Sequence, residues 1–287
     1  MARALDTWWV ELGRPDPYTV VEAGAGTGAL ANSVLAVEPA CRSALRYVMV
    51  ERSARLRPAG ARAEMPSAPF CGVVLANELL DNLPFRLVER TDEGWLEVRV
   101  GDEGERRVEV LVPAAPELAA EARALAPDAA PGARIPLQHR ATAWLDRALA
   151  LVRPGRVVVI DYADSTPSLA ARPWEAWVRT YRSHARGVAV LEEPGTQDIT
   201  CEVAVDQLAR VRPPTADRSQ AEFLAAHGIG GLVAAARATW HERAHLGDLE
   251  ALAARSRVSE AAALTDPAGL GAFRVVEWRV DSLGRTV

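Results

Sequence analysis

Lysine is missing from this chain: all 33 basic positions among its 287 residues are arginine. That excludes Schiff-base catalysis, which needs a lysine amine, and the Walker A phosphate loop, which needs a lysine beside the phosphates. Cysteine is scarce too. Cys41, Cys71 and Cys201 are odd in number and far apart, which excludes a disulfide framework or a zinc knuckle and predicts reduced, mostly buried thiols in a cytoplasmic protein. No apolar stretch approaches the roughly 18 residues a membrane helix needs, and no signal peptide precedes the first element. Long basic runs are absent as well. The 33 basic and 38 acidic residues nearly balance, at net −5, so nucleic acid is not an electrostatic partner. What is present is ample material for a core: 49% of residues are hydrophobic, enough for a single globular domain over 1–287.

The most informative residues are Val20-Val21-Glu22-Ala23-Gly24-Ala25-Gly26-Thr27-Gly28-Ala29. An apolar run breaks into alternating glycines with a carboxylate just before them, the pattern of a strand that turns into a helix. Glycine lets the backbone turn tightly and approach a ligand, and N–H groups at the start of the helix face the same space. Two cofactors suit such a loop. Gly24, Gly26 and Ala29 satisfy the dinucleotide fingerprint, and Glu51 ends the next strand where a ribose-binding acid belongs. The E-x-G-x-G-x-G form instead resembles motif I of the class I S-adenosyl-L-methionine methyltransferases, whose positively charged cofactor suits Glu22.

Apolar runs then alternate with helical patterns. Residues 19–23, 46–50, 72–76 and 156–160 read as buried parallel strands and 29–37 and 141–151 as helices, which predicts a doubly wound, mostly parallel α/β sheet. Residues 85–112 break the rhythm with three alternating segments separated by glycine turns, an antiparallel meander inserted after a core strand. The alanine- and proline-rich 113–131 reads as a mobile, helix-bearing connection. Residues 216–271 form a helical C-terminal part, before a last strand at 273–280.

In open α/β sheets ligands bind beyond the carboxyl ends of the strands. Here those ends are polar: Glu22 with the glycine loop, Glu51-Arg52-Ser53, Asn77-Glu78 followed by Asp81-Asn82, and Asp161-Tyr162-Ala163-Asp164. Acids after strands also cap helices, a role open to Asp81 and Ser53. Four ends of this kind point to a site.

YVMVERSARLR (47–57), GVVLANELLDNLPFRLV (72–88), the G-x-R-I-P-L-Q segment (132–138), VVVIDYAD (157–164), RTYRSHARG (179–187), PGTQDIT (194–200) and FLAAHGI (223–229) occur in the order and character of the MidA-like methyltransferases. The chain resembles this family over nearly its whole length. The family comprises class I S-adenosyl-L-methionine enzymes and includes the mitochondrial complex I assembly factor, an arginine methyltransferase. The resemblance implies S-adenosyl-L-methionine as cofactor and methyl transfer as reaction. It implies that Glu22, Gly24, Gly26 and Gly28 hold the methionine part and Glu51 the ribose hydroxyls, while Asn77, Glu78 and Asp81 line the mouth where the methyl group leaves. Two departures stand out. Family members carry a segment of several tens of residues before the first strand, whereas here Met1 falls within a helix expected over 2–12, directly ahead of that strand. Between Ser53 and Cys71 there is no room for an edge strand with two crossovers, since one crossover needs at least ~10–12 residues. The third strand, whose following loop usually cradles adenine, is therefore expected to be missing.

Methyl transfer to an activated carbon requires mainly alignment and charge management. For a protein arginine acceptor, carboxylates orient the guanidinium and localise its charge away from the attacking nitrogen; Glu78 and Asp81 are the candidates. Tyr162, Arg179, Tyr181, Arg182 and His184 are candidates for an acceptor wall, and Gln197, Asp198 and Thr200 for a loop beside it. His241-Glu242-Arg243-Ala244-His245 matches the H-E-x-x-H zinc pattern, but no third histidine follows. An apolar stripe of Leu232, Ala236, Trp240 and Ala244 is expected to dock that helix, so no metal is assigned. Beside the methyltransferase stand three other readings: a non-catalytic cofactor-binding assembly or scaffold protein, an NAD(P) oxidoreductase and a zinc hydrolase.

Overall fold

A computed structural model describes residues 1–104, 106–182 and 185–286. In chain order the elements are α1 (Ala2–Glu11), β1 (Tyr18–Ala23), α2 (Ala29–Ala36), β2 (Leu45–Val50), β3 (Phe70–Asn77), β4 (Arg86–Thr91), β5 (Gly94–Glu103), β6 (Arg106–Pro113), α3 (Pro116–Leu125), β7 (Arg134–Leu137), α4 (His139–Leu151) and β8 (Val152–Asp161). There follow β9 (Ala163–Asp164), α5 (Thr166–Ala170), β10 (Val178–Arg182), β11 (Ala185–Arg186), β12 (Asp198–Cys201), β13 (Val203–Ala204), α6 (Val205–Val211), β14 (Ala216–Ser219), α7 (Gln220–Ala226), α8 (Ile229–Arg243), α9 (Leu249–Thr265) and β15 (Arg274–Val280). The chain divides into two compact units, one made of Met1–Asn77, Leu149–Ile160 and Pro214–Val287, the other of Glu78–Ala148 and Asp161–Pro213.

The first unit holds the mainly parallel sheet, with strand order β14-β15-β8-β3-β1-β2. Its inner strands are apolar on both faces because both are covered: the consecutive residues Val73, Val74, Leu75 and Ala76 are all fully buried, as expected of parallel strands between helical layers. β1 runs parallel to both β2 and β3, and β3 parallel to β8. Beyond β2, where the third strand was expected to be missing, there is among the described residues only one parallel bridge, between Val50 and Arg62. There the Arg62 N–H donates to the Met49 carbonyl and the Glu51 N–H to the Arg62 carbonyl, both at 2.9 Å. At the other edge β14 pairs antiparallel with β15, a short strand the sequence pattern did not reveal. Ser219 ends it and opens α7 through a capping box with Glu222, each satisfying the other's orphan N–H. Glu277 of β15, almost fully buried, is paired with Arg156 at 3.2 Å and with Arg218; without such partners a carboxylate there would be strongly destabilising.

The second unit contains the meander. β4, β5 and β6 pair antiparallel as the alternation predicts, and β7 joins the sheet beside β4. The 113–131 segment is more ordered than its composition suggested. Leu118, Ala122 and Leu125 of α3 are buried in one cluster with Val88, Trp95, Ile135 and Leu137, because their i, i+4, i+7 spacing gives the short helix an apolar face. Gln138, which closes the R-I-P-L-Q segment, is a buried staple. Its Nε2 donates to the Glu202 carbonyl at 2.9 Å and its Oε1 accepts from the Ala204 N–H at 2.7 Å, while its own N–H donates to Gln207 Oε1 at 2.9 Å. A second apolar cluster gathers Leu169, Trp177, Val178, Cys201 and Ala204. The three cysteines are free thiols; Cys41 and Cys201 are buried and Cys71 half-buried.

Gly72 shows how tightly the parallel strands meet: a Cβ there would lie 1.8 Å from the Thr19 carbonyl oxygen, at φ +149°. The clash is with backbone, so no side-chain rotation relieves it. Gly72→Ala is expected to lower the unfolding free energy by roughly 3 kcal/mol or more, measured by urea denaturation; a change below about 1 kcal/mol contradicts the strand packing described.

Candidate functional site

In the first unit the site begins where β1 ends. Gly24, Gly26 and Gly28 have φ of 73°, 53° and 81°, a left-handed backbone that favours glycine. The loop they form is pinned to the end of β2. The N–H groups of Gly24 and Ala25 both donate to the Val50 carbonyl, at 2.9 and 3.0 Å. The next N–H, that of Gly26, donates to Glu51 Oε2 at 2.9 Å, while Glu51 Oε1 accepts from the Ser53 N–H at 2.7 Å. No heavy atom lies within 4 Å of where a Gly26 Cβ would stand, so the loop leaves open space at that glycine. Gly28 differs. It is the N-cap of α2, and a Cβ there would meet Met49 Sδ at 2.9 Å and Pro58 Cγ at 3.3 Å.

Glu22 is buried beneath this loop at 4% exposure. Its Oε2 accepts from the Tyr47 hydroxyl at 2.9 Å, and the Ala31 N–H in the first turn of α2 donates to its carboxylate. Burial pushes its pKa up, although both hydrogen bonds oppose that rise. Glu22 thus ties the start of α2 to β2, where a carboxylate also faces the positive end of the helix dipole. Tyr47 went unnoticed in the sequence; its place two residues before Met49 on a strand edge carries no separate signal.

These features suit S-adenosyl-L-methionine in chemistry. The open position at Gly26 admits close backbone approach, and Glu51 offers an acceptor-only carboxylate with about four acceptor sites for a ribose diol as well as the two N–H groups it already holds. With β2 at the edge, Arg62 and the turn before it stand where a third strand is usual. Arg57 folds back there, its Nε donating to the Glu51 carbonyl at 2.7 Å.

Asn77 ends β3 half-buried, and the chain passes directly to Glu78 in the second unit. Glu78 is exposed and has φ +50°, a conformation that costs a non-glycine residue on the order of 1–3 kcal/mol and persists where neighbours enforce it. The turn Leu80–Asn82 follows. Asp81 in it is 3% exposed and accepts from Asn82 Nδ2 at 2.7 Å, while the same amide donates to the Glu78 carbonyl at 3.3 Å. Burial, with the charge of Glu78 adding to it, pushes the Asp81 carboxyl up to about 6. Asp161, 1% exposed, accepts N–H bonds from this turn; burial first and the Asp81 charge second hold its pKa well above the ordinary carboxylate range.

Of the wall residues, Tyr162, Arg179 and Tyr181 come together. The Arg179 guanidinium lies 5.7 Å from the Tyr162 ring centroid, and burial followed by the charge of Glu78 raises the Tyr162 pKa. Arg179 also bonds Glu202 at 3.1 Å. Arg182 turns away to Glu193 and Thr196. His184 lies outside the described residues. Gln197 staples its own loop, accepting from the Val188 N–H and donating to the carbonyls of Ala189 and Glu192; Thr200 and Asp198 sit in β12 opposite Arg179 and Tyr181.

The H-E-x-x-H pattern is not held on one helix. α8 ends at Arg243 and His245 falls in a separate 3-10 turn; among the described residues no group of three or more His, Cys, Asp or Glu is placed to hold a metal ion. Ala236 is buried as the stripe required, but Leu232 is 53% exposed, so the buried face of α8 is narrower than its sequence suggested.

Residues 1–221 match a family model described as "Putative S-adenosyl-L-methionine-dependent methyltransferase". Among solved structures, an uncharacterized Burkholderia thailandensis protein is 26% identical, with 97% of this chain and 77% of that one covered at a TM-score of 0.80. A Burkholderia thailandensis member of the same superfamily, bound to S-adenosyl-homocysteine, is also 26% identical, with 97% and 74% covered at a TM-score of 0.77. No curated protein matches the chain.

The buried carboxyls have a measurable consequence. A carboxyl whose folded pKa is raised favours folding when protonated, so its contribution is full below the unfolded value near ~3.9 and is lost as pH rises through the folded one. For Asp81 that window runs from the unfolded value up to about 6. Between pH 4 and 7, Asp81→Asn is expected to gain on the wild type by about 2 kcal/mol in unfolding free energy. Urea denaturation at the two pH values checks this; a pH-independent difference contradicts the burial described.

Proposed function

The chain belongs to the S-adenosyl-L-methionine-dependent methyltransferase family, and we propose that its methyl acceptor is an arginine side chain of a protein, oriented by Glu78. S-adenosyl-L-methionine is the cofactor, and when bound it supplies a methyl carbon activated by a sulfonium. In this reading Gly24, Gly26 and Gly28 let the loop backbone approach the methionine part, Glu22 fixes the loop from below, and Glu51 accepts from the ribose hydroxyls. Glu78 draws the guanidinium charge toward its carboxylate, leaving electron density on the attacking nitrogen. Asp81 and Asn77 shape the segment that carries it, and the rings of Tyr162 and Tyr181 with Arg179 flank the acceptor.

The observation that carries the acceptor role is the exposed Glu78 carboxylate held on a left-handed backbone. Exposed Arg14, Glu38 and Glu193 share that backbone; Glu78 differs in following the carboxyl end of β3, the place where open α/β sheets bind ligands. We place this chemistry in the cytoplasm on the strength of the free thiols; no helix among the described residues is long and apolar enough to cross a membrane.

Radiolabelled methyl transfer from S-adenosyl-L-methionine into a lysate of the source organism tests the assignment. Label is expected in a discrete protein band and as methylarginine after hydrolysis. Glu78→Gln should lower transfer by roughly 10²-fold while leaving cofactor affinity within a few fold, since the amide keeps the shape and loses the charge. Equal labelling by wild type and variant contradicts the role of Glu78, and label on another residue type overturns the arginine acceptor.

A further inference from the structure

The turn after Glu78 hangs from one buried side chain. Asp161 Oδ2 accepts from the N–H groups of Leu80 at 2.9 Å and Asp81 at 3.3 Å, and its Oδ1 from the Tyr162 N–H at 3.0 Å. Both oxygens are thus committed to backbone, from two segments 80 residues apart. The connection continues to Glu78. Asp81 Oδ1 accepts from Asn82 Nδ2 at 2.7 Å, and that amide also donates to the Glu78 carbonyl. The peptide whose φ is +50° therefore sits at the end of an unbroken hydrogen-bonded path from Asp161.

We propose that Asp161 is a positioning residue for methyl transfer, clamping the Leu80–Asp81 backbone so that Glu78 is held in its left-handed conformation. The inference rests on Glu78 as the acceptor-orienting carboxylate. A second feature supports it. A carboxylate that only capped the turn could stand alone, yet a second buried carboxyl, Asp81, lies beside it; burial raises both, with the charge of Glu78 adding at Asp81 and that of Asp81 at Asp161. Clamp strength then depends on which of the two carries a proton. The other titratable groups around the pair are Glu78 on the turn, Tyr162 with Arg179 from β10, and the Cys201 thiol of β12, itself pushed up by burial. An asparagine cannot replace Asp161, because one end of its amide is a donor and would face a backbone N–H.

The test combines amide hydrogen exchange with methyl transfer. In Asp161→Asn the Leu80 and Asp81 amides should exchange about tenfold faster, the scale of one lost hydrogen bond, while β1 and β3 keep their protection. Transfer should fall as far as in Glu78→Gln with cofactor affinity unchanged, and the double variant should lose nothing further, because both act through one side chain. Unchanged exchange at Leu80 and Asp81 overturns the clamp, and a further loss in the double variant reduces Asp161 to general structural support. Should Asp161→Asn fail to fold, the wild type and Asp81→Asn decide: the Leu80 amide shift should follow a carboxyl titration above the ordinary range, at lower pH in the variant. A Leu80 shift independent of pH overturns the proposal. If the exchange results hold but Glu78→Gln transfers methyl as well as the wild type, the clamp stands and the acceptor reading fails.

Discussion

The end of β2 anchors the glycine loop after β1. One carbonyl, that of Val50, takes two consecutive N–H groups, and the carboxylate of the next residue, Glu51, takes a third. A glycine loop on its own has many conformations of similar energy, and its entropy opposes any single one. Three donors held by adjacent acceptors reduce that freedom before a ligand arrives, which is the usual route to affinity without additional contacts. Glu22 acts on the same loop from below, through Tyr47 of β2 and the first turn of α2. Glu51, read as a ribose ligand, is therefore also part of the loop's framework. The single bridge between Val50 and Arg62 matters in this light, because it keeps the edge of β2 paired at the residue whose carbonyl holds the loop.

The second unit uses a different device. At the turn after β3 two carboxyls, Asp81 and Asp161, are buried rather than displayed, at a cost in solvation that only hydrogen bonds and protonation offset. Asp161 meets that cost with three backbone donors and Asp81 with the Asn82 amide. Beside them Glu78 stays exposed, on a left-handed backbone. Two buried acids beside an exposed third fit the proposed reaction, in which charge placement is the main requirement.

Much of the framework was legible because parallel strands buried on both faces leave unmistakable apolar runs, and because alternating glycines after such a run have few structural explanations. The third strand could be predicted absent from length alone, since a crossover has a minimum size. The β14 strand was not legible: Ala216–Ser219 is four residues with charges at its centre, and only its pairing with β15 makes it a strand. The packing of α3 was hidden by proline and alanine, which read as linker until Val88 and Ile135 supply a surface for Leu118 and Leu125. Candidate site residues could be named where they stand at strand ends. Their partners were not, because Tyr47 and Asn82 act through side-chain hydrogen bonds whose geometry sequence spacing does not encode. Asp81 shows the limit most clearly: its position after β3 suggested a carboxylate at an open mouth, and its 3% exposure places it inside.

Calorimetric titration with S-adenosyl-homocysteine, on the wild type and on Glu51→Ala, tests the central claim that this carboxylate both holds the loop and binds the cofactor. The account predicts binding by the wild type and a loss of roughly tenfold or more in the variant, corresponding to at least one charge-assisted hydrogen bond, with the fold retained by circular dichroism. Equal affinity in the two folded proteins would contradict it.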